Sequence, residues 1–422
     1  MKAVISAGGR GTRVSGVRND IPKPMFPVCG KPVLQRTIEA LRDEGVDDIT
    51  VTTGYLADKI ESYFKDGSGF GVRIGYYREK VPLGTAGALF ECCPGEDFFY
   101  INGDLVFSFY ARKMMEYHRR SGGLCTVLAH PNTHPLDSTA VFADVRGHVK
   151  KISPKEEDLP YKPCLSLSGI YILSPKLFKP EIRKSEKTDL DRDILIPAAQ
   201  SGKVKAYRSS EYVKDMGTPQ RMEAVERDIE AGIPDLKNLR RKQKAVFLDR
   251  DGTINAYKGY ITSPEDIELI PGAARAIKEI NDSGRLAIVI TNQASPARGE
   301  CSIEDIEIIN TRLQTLLARE GALLDRIYFC PHHPDKGFPG EDPKLKIDCE
   351  CRKPKPGMIL RAAEEFNIDL ENSYMVGDSF RDVQCAVNAG CIPVYLRCGA
   401  PSPDPDNAMI FDDLADFCSE VL

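Results

Sequence analysis

Two stretches of the chain share one pattern. Each is an apolar run of strand length, closed by a turn rich in glycine or aspartate and followed by alternating strand and helix periodicities. The first begins at Lys2–Ala7 and the second at Lys244–Leu248. After the first, Asp48–Thr53, Phe98–Ile101, Leu124–Ala129 and Ile170–Leu173 read as strands, with helical spacing over Val33–Glu44 and Thr218–Ala231. After the second, Leu286–Thr291, Arg326–Phe329, Ser373–Val376 and Ile392–Tyr395 read as strands, and helices are expected near Gly272–Ser283, Ser302–Glu320 and Pro356–Phe366. Alternation of this kind predicts two α/β units. Between them Gly232-Ile233-Pro234-Asp235 breaks the pattern, and the basic run Lys237–Lys244 has no interleaved aromatic residue, so it reads as a solvated linker rather than a nucleic-acid patch. The expected division is therefore a first domain over 1–232, a linker over 233–243 and a second domain over 244–422.

A length of 422 residues with 42% hydrophobic and 28% charged positions is that of an ordinary globular protein with room for a sizeable core. The 57 basic residues against 62 acidic ones leave a net charge of −5, so no basic field exists to draw nucleic acid. The apolar start meets Gly8 and Gly9 too soon for a signal peptide, and no run approaches the ~18 apolar residues of a membrane span, which predicts a cytoplasmic protein with no membrane partner. In that setting most of the 13 cysteines are expected as buried thiols. Only Cys330, Cys349 and Cys351 stand at spacings that suggest chemistry.

Ala7-Gly8-Gly9-Arg10-Gly11-Thr12-Arg13 follows the first strand as a loop whose backbone N–H groups can approach a triphosphate. It matches neither the P-loop string nor the dinucleotide fingerprint. With Ile21–Met25 (IPKPM), Leu83–Gly87 (LGTAG), Asn102-Gly103-Asp104 and Asp215–Pro219 (DMGTP), it falls in the order found in sugar-phosphate nucleotidylyltransferases, which this half resembles. The resemblance implies a doubly wound, Rossmann-like fold over about residues 1–232. It also implies transfer of a nucleotidyl group to a sugar 1-phosphate with release of pyrophosphate. Arg13 and Lys23 would stabilise the phosphates, and Asp104 and Asp215 would hold Mg²⁺. Gly8, Gly9, Gly11, Thr12, Leu83, Gly84, Thr85 and Ala86 would contact the nucleotide. On the sugar side the family's Glu-Lys-Pro string is replaced by Ser153-Pro154-Lys155 and its Asn-Ala-Gly or Asn-Gly-Gly string by Leu167-Ser168-Gly169-Ile170-Tyr171, which leaves Lys155 and Gly169 as candidates, Lys155 equally an exposed loop lysine.

In the second half Asp249-Arg250-Asp251-Gly252-Thr253 sets two carboxylates two positions apart just beyond a strand. Thr291, then Lys353 in Arg352-Lys353-Pro354, then Gly377-Asp378 follow in order, and the series resembles the haloacid dehalogenase superfamily. The resemblance makes Asp249 the nucleophile on phosphorus, Asp251 the acid and base, and Thr291 and Lys353 the phosphoryl clamps. Asp378 would hold Mg²⁺ with Asp249 and Asp251, while Asp382 is either a supporting partner or an ordinary residue of a first helical turn. Cys330-Pro331-His332-His333 and Cys349-Glu350-Cys351 fit a closed tetrahedral zinc site of Cys330, His332, Cys349 and Cys351, with His333 as the alternative imidazole. Together with Lys258-Gly259-Tyr260, Thr291-Asn292-Gln293 and Ala297-Arg298-Gly299, this half resembles D-glycero-D-manno-heptose 1,7-bisphosphate 7-phosphatases, departing from them at Ala294 and Ser379. Asn292, Gln293 and Arg352 are its expected substrate contacts.

The two halves then encode consecutive steps, since the heptose 1-phosphate released by one is the substrate type of the other. The stretch Gly16–Met25 is similar to heptose 1-phosphate guanylyltransferases, which implies GTP as donor and GDP-heptose as product. Two other readings stay open. One pairs a hexose 1-phosphate nucleotidylyltransferase with a histidinol-phosphate-type phosphatase, and the other makes one domain a non-catalytic binding module. The expected partners are small molecules, with homo-oligomerisation open.

Overall fold

The computed structural model describes residues 1–9, 21–132, 134–183, 185, 187–398 and 405–422. Two compact units emerge. One comprises Met1–His130, Val141–Pro154 and Leu167–Asn238, and the other Pro131–Ala140, Lys155–Ser166 and Leu239–Leu422.

In the first unit Lys2–Ser6 pairs in parallel with Asp48–Thr53 on one side and Phe98–Asn102 on the other. Its apolar centre Ala3-Val4-Ile5 is consequently buried. Arg73–Arg78 continues the parallel set beyond Asp48–Thr53, while Leu165–Leu173 runs antiparallel against Phe98–Asn102. The chain thus steps outward from Lys2–Ser6 in one direction and then crosses to its other side. The carboxyl ends of Lys2–Ser6 and Phe98–Asn102 therefore flank the switch point of the sheet, where open α/β folds form their crevice. Helix Val33–Asp43 covers one face with Val33, Leu34, Ile38 and Leu41, and helix Ala111–Ser121 adds Ala111, Met114 and Met115. A separate antiparallel pair, Leu105–Ser108 with Tyr212–Asp215, carries the chain's later acidic string back beside its earlier one.

The second unit is built on a six-stranded sheet ordered Arg326–Cys330, Leu286–Asn292, Ala245–Leu248, Tyr374–Gly377, Ile392–Leu396 and Met409–Phe411, every pair parallel. Its switch point lies between Ala245–Leu248 and Tyr374–Gly377, and both strands end in the expected acidic residues. Helices Ala273–Asp282 and Ile303–Arg319 bury Ala276, Ile277, Ile280, Ile306, Ile309, Leu313 and Leu317 against it. Both expected α/β architectures are present.

Three expectations change in detail. The strand expected to start at Leu124 runs over Cys125–Pro131, and the one expected at Ile170 begins at Leu165. The segment expected as a solvated linker over 233–243 holds a helical turn at Ile233–Leu236 and a buried Gln243 with its N–H on the Asn367 carbonyl, while Arg240, Arg241, Lys242 and Lys244 are exposed. Among the described residues no helix is long and apolar enough to cross a membrane.

Candidate functional sites

At the first switch point the chain leaves Lys2–Ser6 into Gly8 and Gly9. A Cβ on Gly54 would stand 2.9 Å from the Gly8 carbonyl oxygen, so only glycine lets the two loops close on each other. Across the crevice, Asp104 follows Phe98–Asn102, and the register Asp215↔Leu105 sets Asp215 beside it, with the Met216 N–H on the Asp104 carbonyl at 3.0 Å. The structure therefore brings together two carboxylates that lie far apart in sequence. Each already has a cation: Lys23 Nζ forms an ion pair with Asp104, and Arg221 approaches both Asp215 oxygens at 2.8 and 2.6 Å. Burial alone would raise the Asp215 carboxyl, but Arg221 and the Gly217 N–H outweigh it and hold the group below its ordinary value. Sequence reasoning missed Arg221, because an arginine in a helix's first turn carries no signal of its own.

The Leu83–Ala86 segment reaches the Gly8 loop through Glu79. Thr85 is anchored through its hydroxyl, which accepts the Leu190 N–H at 2.7 Å, and Gly84 takes a positive φ of 82° against the Thr188 carbonyl. Glu79 is a second residue that sequence reasoning missed. Its carboxylate faces Gly8, accepts the Leu83 N–H at 3.3 Å and is raised above its ordinary value by burial. Gly169 abuts Asn102 near Leu105, whereas Lys155 is exposed on a segment that groups with the second unit. Gly11, Thr12 and Arg13 lie outside the described residues.

At the second switch point Lys353 is buried between two carboxylates, 2.8 Å from Asp249 Oδ1 and 2.6 Å from Asp382 Oδ1. Asn292 holds the lysine's backbone, donating to the Lys353 carbonyl at 3.1 Å and accepting the Lys353 N–H at 3.0 Å. Expected at the substrate, Asn292 is thus occupied in placing Lys353. Asp382 also accepts the Ser379 hydroxyl at 2.6 Å, so it is both a residue of the helix's first turn and a partner of Lys353. Burial, opposed by Lys353 and reinforced by Asp382, raises the Asp249 carboxyl, and burial with Asp382 lifts Asp378 to about 6.

Asp249, Asp378 and Asp382 present oxygens within 4.8 Å of one another. Three carboxylates against one lysine leave a negative surplus in a buried place, and an all-oxygen set with that surplus fits a hard divalent cation such as Mg²⁺. Asp251 is not in this group. Expected among the metal ligands, its carboxylate instead accepts from Arg250, Asn255 and Gln293. Gln293, expected at the substrate, is buried and donates to Asp251 at 2.7 Å and to the buried Thr291 hydroxyl at 3.0 Å. Arg352 reaches the His332 carbonyl at 3.2 Å.

Gly252 has a φ of 86°, and a Cβ there would lie 2.0 Å from Asp378 Oδ2. Gly252→Ala should therefore displace Asp378 and cost phosphatase turnover about 100-fold or more. Steady-state phosphate release from the purified variant, with its melting temperature recorded alongside, checks this.

The zinc-type ligands converge as their spacing predicts. Cys351 Sγ lies 3.2 Å from both Cys330 and Cys349 sulfurs and 3.2 Å from His332 Nδ1. Three thiols and one imidazole within 4.8 Å are a soft donor set that fits tetrahedral Zn²⁺. His333, the alternative imidazole, accepts the Asp335 N–H instead. Arg352 and Lys353 follow Cys351 directly in the chain.

Comparison with known proteins adds to this geometry. Residues 2–232 match the nucleotidyl transferase family and residues 350–417 the HAD-hydrolase-like family. The D-glycero-beta-D-manno-heptose-1,7-bisphosphate 7-phosphatase of Yersinia pestis is 42% identical over 158 residues, which are 37% of this chain and 82% of that protein. Its namesake in Escherichia coli K12 is 40% identical over 177 residues, 41% of this chain and 91% of the relative. Among solved structures, HddC from Yersinia pseudotuberculosis complexed with GMP-PN aligns over 54% of this chain and 99% of its own, at 29% identity and a TM-score of 0.47.

Proposed function

We propose, for a chain that belongs to the nucleotidyl transferase family through residues 2–232 and to the heptose-bisphosphate phosphatases over a further 177 residues, one enzyme that performs two consecutive steps on one sugar. The chain joins a nucleotidyltransferase and a phosphatase. The phosphatase, within 244–422, removes the 7-phosphate of D-glycero-D-manno-heptose 1,7-bisphosphate. The transferase, within 1–232, then joins the heptose 1-phosphate to GMP from GTP, releasing pyrophosphate and GDP-heptose. The observation that carries this reading is the pairing itself, because what a heptose 1,7-bisphosphate 7-phosphatase leaves is a sugar 1-phosphate.

In the phosphatase, Asp249 attacks phosphorus while the bond to the sugar oxygen breaks. That oxygen takes a proton from Asp251, and an aspartyl phosphate remains. Asp251 then accepts a proton from water as the water attacks phosphorus, returning Asp249 and releasing phosphate. Lys353 and Thr291 hold the phosphoryl oxygens throughout. Asp249 and Asp378 are the residues that would hold Mg²⁺, which when bound offsets the phosphoryl charge. Cys330, His332, Cys349 and Cys351 would hold Zn²⁺ as a structural ion.

In the transferase, Asp104 and Asp215 would hold Mg²⁺ beside the triphosphate. Lys23 and Arg221 are then placed to exchange their carboxylates for phosphate oxygens, and Arg13, by the resemblance alone, would add a further cation. The sugar phosphate oxygen attacks the α-phosphorus and pyrophosphate leaves. Glu79 supports guanine as the base. Its carboxylate sits between Gly8 and Leu83, both in the segments assigned to the nucleotide, and two acceptor oxygens suit the adjacent N1–H and 2-amino donors of guanine, a pair no other standard base presents. Glu79→Gln should lower kcat/KM for GTP about tenfold or more while affecting ITP, which lacks the 2-amino group, less. Equal losses on both nucleotides would remove Glu79 from base reading.

The reading as a whole is tested by supplying heptose 1,7-bisphosphate with Mg²⁺ and locating the remaining phosphate by phosphorus NMR. Retention at C1 is expected, and loss at C1 contradicts the proposal.

A further inference from the structure

Arg250 stands between the two active-site aspartates and is completely buried, the largest fully buried side chain among the described residues. Its guanidinium lies against Asp251 as a fork, Nε 3.0 Å from Oδ1 and NH2 2.9 Å from Oδ2. Two residues from other elements hold the fork itself: NH1 donates to Asn310 Oδ1 at 3.1 Å, from the middle of helix Ile303–Arg319, and NH2 to Gln293 Oε1 at 2.8 Å. Asn255 Nδ2 at 2.9 Å and Gln293 Nε2 at 2.7 Å complete the shell of Asp251, so each of its oxygens has two donors.

A buried guanidinium is costly unless fully paired, and an apolar side chain of similar size would fill the space with less penalty. What a planar two-point fork adds, and neither lysine nor an apolar residue can, is a fixed orientation of the carboxylate plane. Gln293 couples this plane to the phosphoryl side, since the same amide nitrogen reaches the Thr291 hydroxyl at 3.0 Å.

We infer that Arg250, itself held by Asn310 and Gln293, is the positioning residue that aims Asp251 at the leaving oxygen. The inference rests on the phosphatase reading above. Arg250 touches no substrate atom; it acts by keeping Asp251 in line for proton delivery as the bond from phosphorus to the sugar oxygen breaks. Its loss therefore matters where the leaving group needs a proton and hardly matters where it does not.

The test compares two substrates on the full chain. Heptose 1,7-bisphosphate expels an alkoxide that must be protonated, and 2,4-dinitrophenyl phosphate expels a phenolate stable without a proton. Arg250→Lys is expected to lower kcat on the bisphosphate about 100-fold or more, with KM little changed and with kcat on the aryl ester falling about threefold or less. Asn310→Ala loosens the guanidinium without touching Asp251 and should shift the ratio of the two kcat values in the same direction by a smaller factor. It keeps the test decisive if Arg250→Lys fails to fold, as judged by melting temperature and bound zinc. Equal losses on both substrates in the folded variants would assign Arg250 a purely structural role and overturn the inference. Wild-type protein that hydrolyses the aryl ester but not the bisphosphate would refute the sugar assignment alone, and the ratio is then read on another alkyl phosphate. Wild-type protein inactive on both would take the phosphatase reading and the inference down together.

Discussion

Asp249→Asn should abolish phosphate release from heptose 1,7-bisphosphate, by about four orders of magnitude or more, while pyrophosphate release from GTP and supplied heptose 1-phosphate stays at the wild-type rate. The amide cannot attack phosphorus, and it also weakens the attraction that Lys353 has for this position at 2.8 Å. Asp382, at 2.6 Å from the same ammonium, keeps Lys353 paired, so the fold should survive the change. Separate assays of phosphate and pyrophosphate on one preparation check the prediction. Parallel loss of both activities would show that the halves do not function independently.

The second large effect concerns the cysteine cluster. Cys330 closes the strand Arg326–Cys330, and Cys349 and Cys351 lead directly into Arg352-Lys353. Hydrogen bonding from Cys330, opposed by burial and helped by Cys349 and His332, holds the Cys351 thiol below its ordinary value, while Cys330 and Cys349 are raised above theirs. A structural zinc of this type contributes on the order of 10 kcal/mol of folding free energy. Cys351→Ser should therefore lose bound zinc, uncouple Lys353 from Asp249 and reduce phosphatase turnover about 1000-fold or more, with transferase activity retained. Metal analysis of the purified protein and the two activity assays check it. A variant with full phosphatase activity and no zinc would remove the cluster from the phosphatase site.

Much of this was legible in the sequence because the responsible signals are local. Runs such as Ala245–Leu248 and Leu286–Ile290 are apolar throughout, and a strand covered on both faces leaves that trace. Zinc-type ligands are readable for a similar reason: Cys330 and His332, and Cys349 and Cys351, are close pairs whose spacing is itself the signal. Arg73–Arg78 was not read as a strand, because with three of its six residues exposed and charged ends it lacks the apolar run of its neighbours. Helix Ala111–Ser121 escaped because its buried face is a narrow stripe of Ala111, Met114, Met115 and His118 in an otherwise polar, basic segment.

At the sites, motif residues were legible and their partners were not. Nothing near Asp249 in sequence announces that Asn310 will hold Arg250, or that Asp382 will share Lys353; those pairings exist only once the parallel sheet has stacked its strand ends. The same holds for Glu79, which reaches Gly8 only because Asp48–Thr53 and Arg73–Arg78 lie side by side next to the first strand. Asn292 and Gln293 show the converse. Their place in a motif suggested substrate contact, while the structure uses their amides to fix Lys353, Asp251 and Arg250.

The central claim is that one chain carries out both steps in order. Its most direct test gives the purified protein heptose 1,7-bisphosphate and GTP together with Mg²⁺ and follows phosphate, pyrophosphate and nucleotide sugar in one vessel. The account predicts that phosphate appears first, that pyrophosphate and GDP-heptose follow in equal amounts, and that Asp249→Asn yields GDP-heptose only when heptose 1-phosphate is supplied. Phosphate release with no pyrophosphate from any nucleoside triphosphate would contradict it.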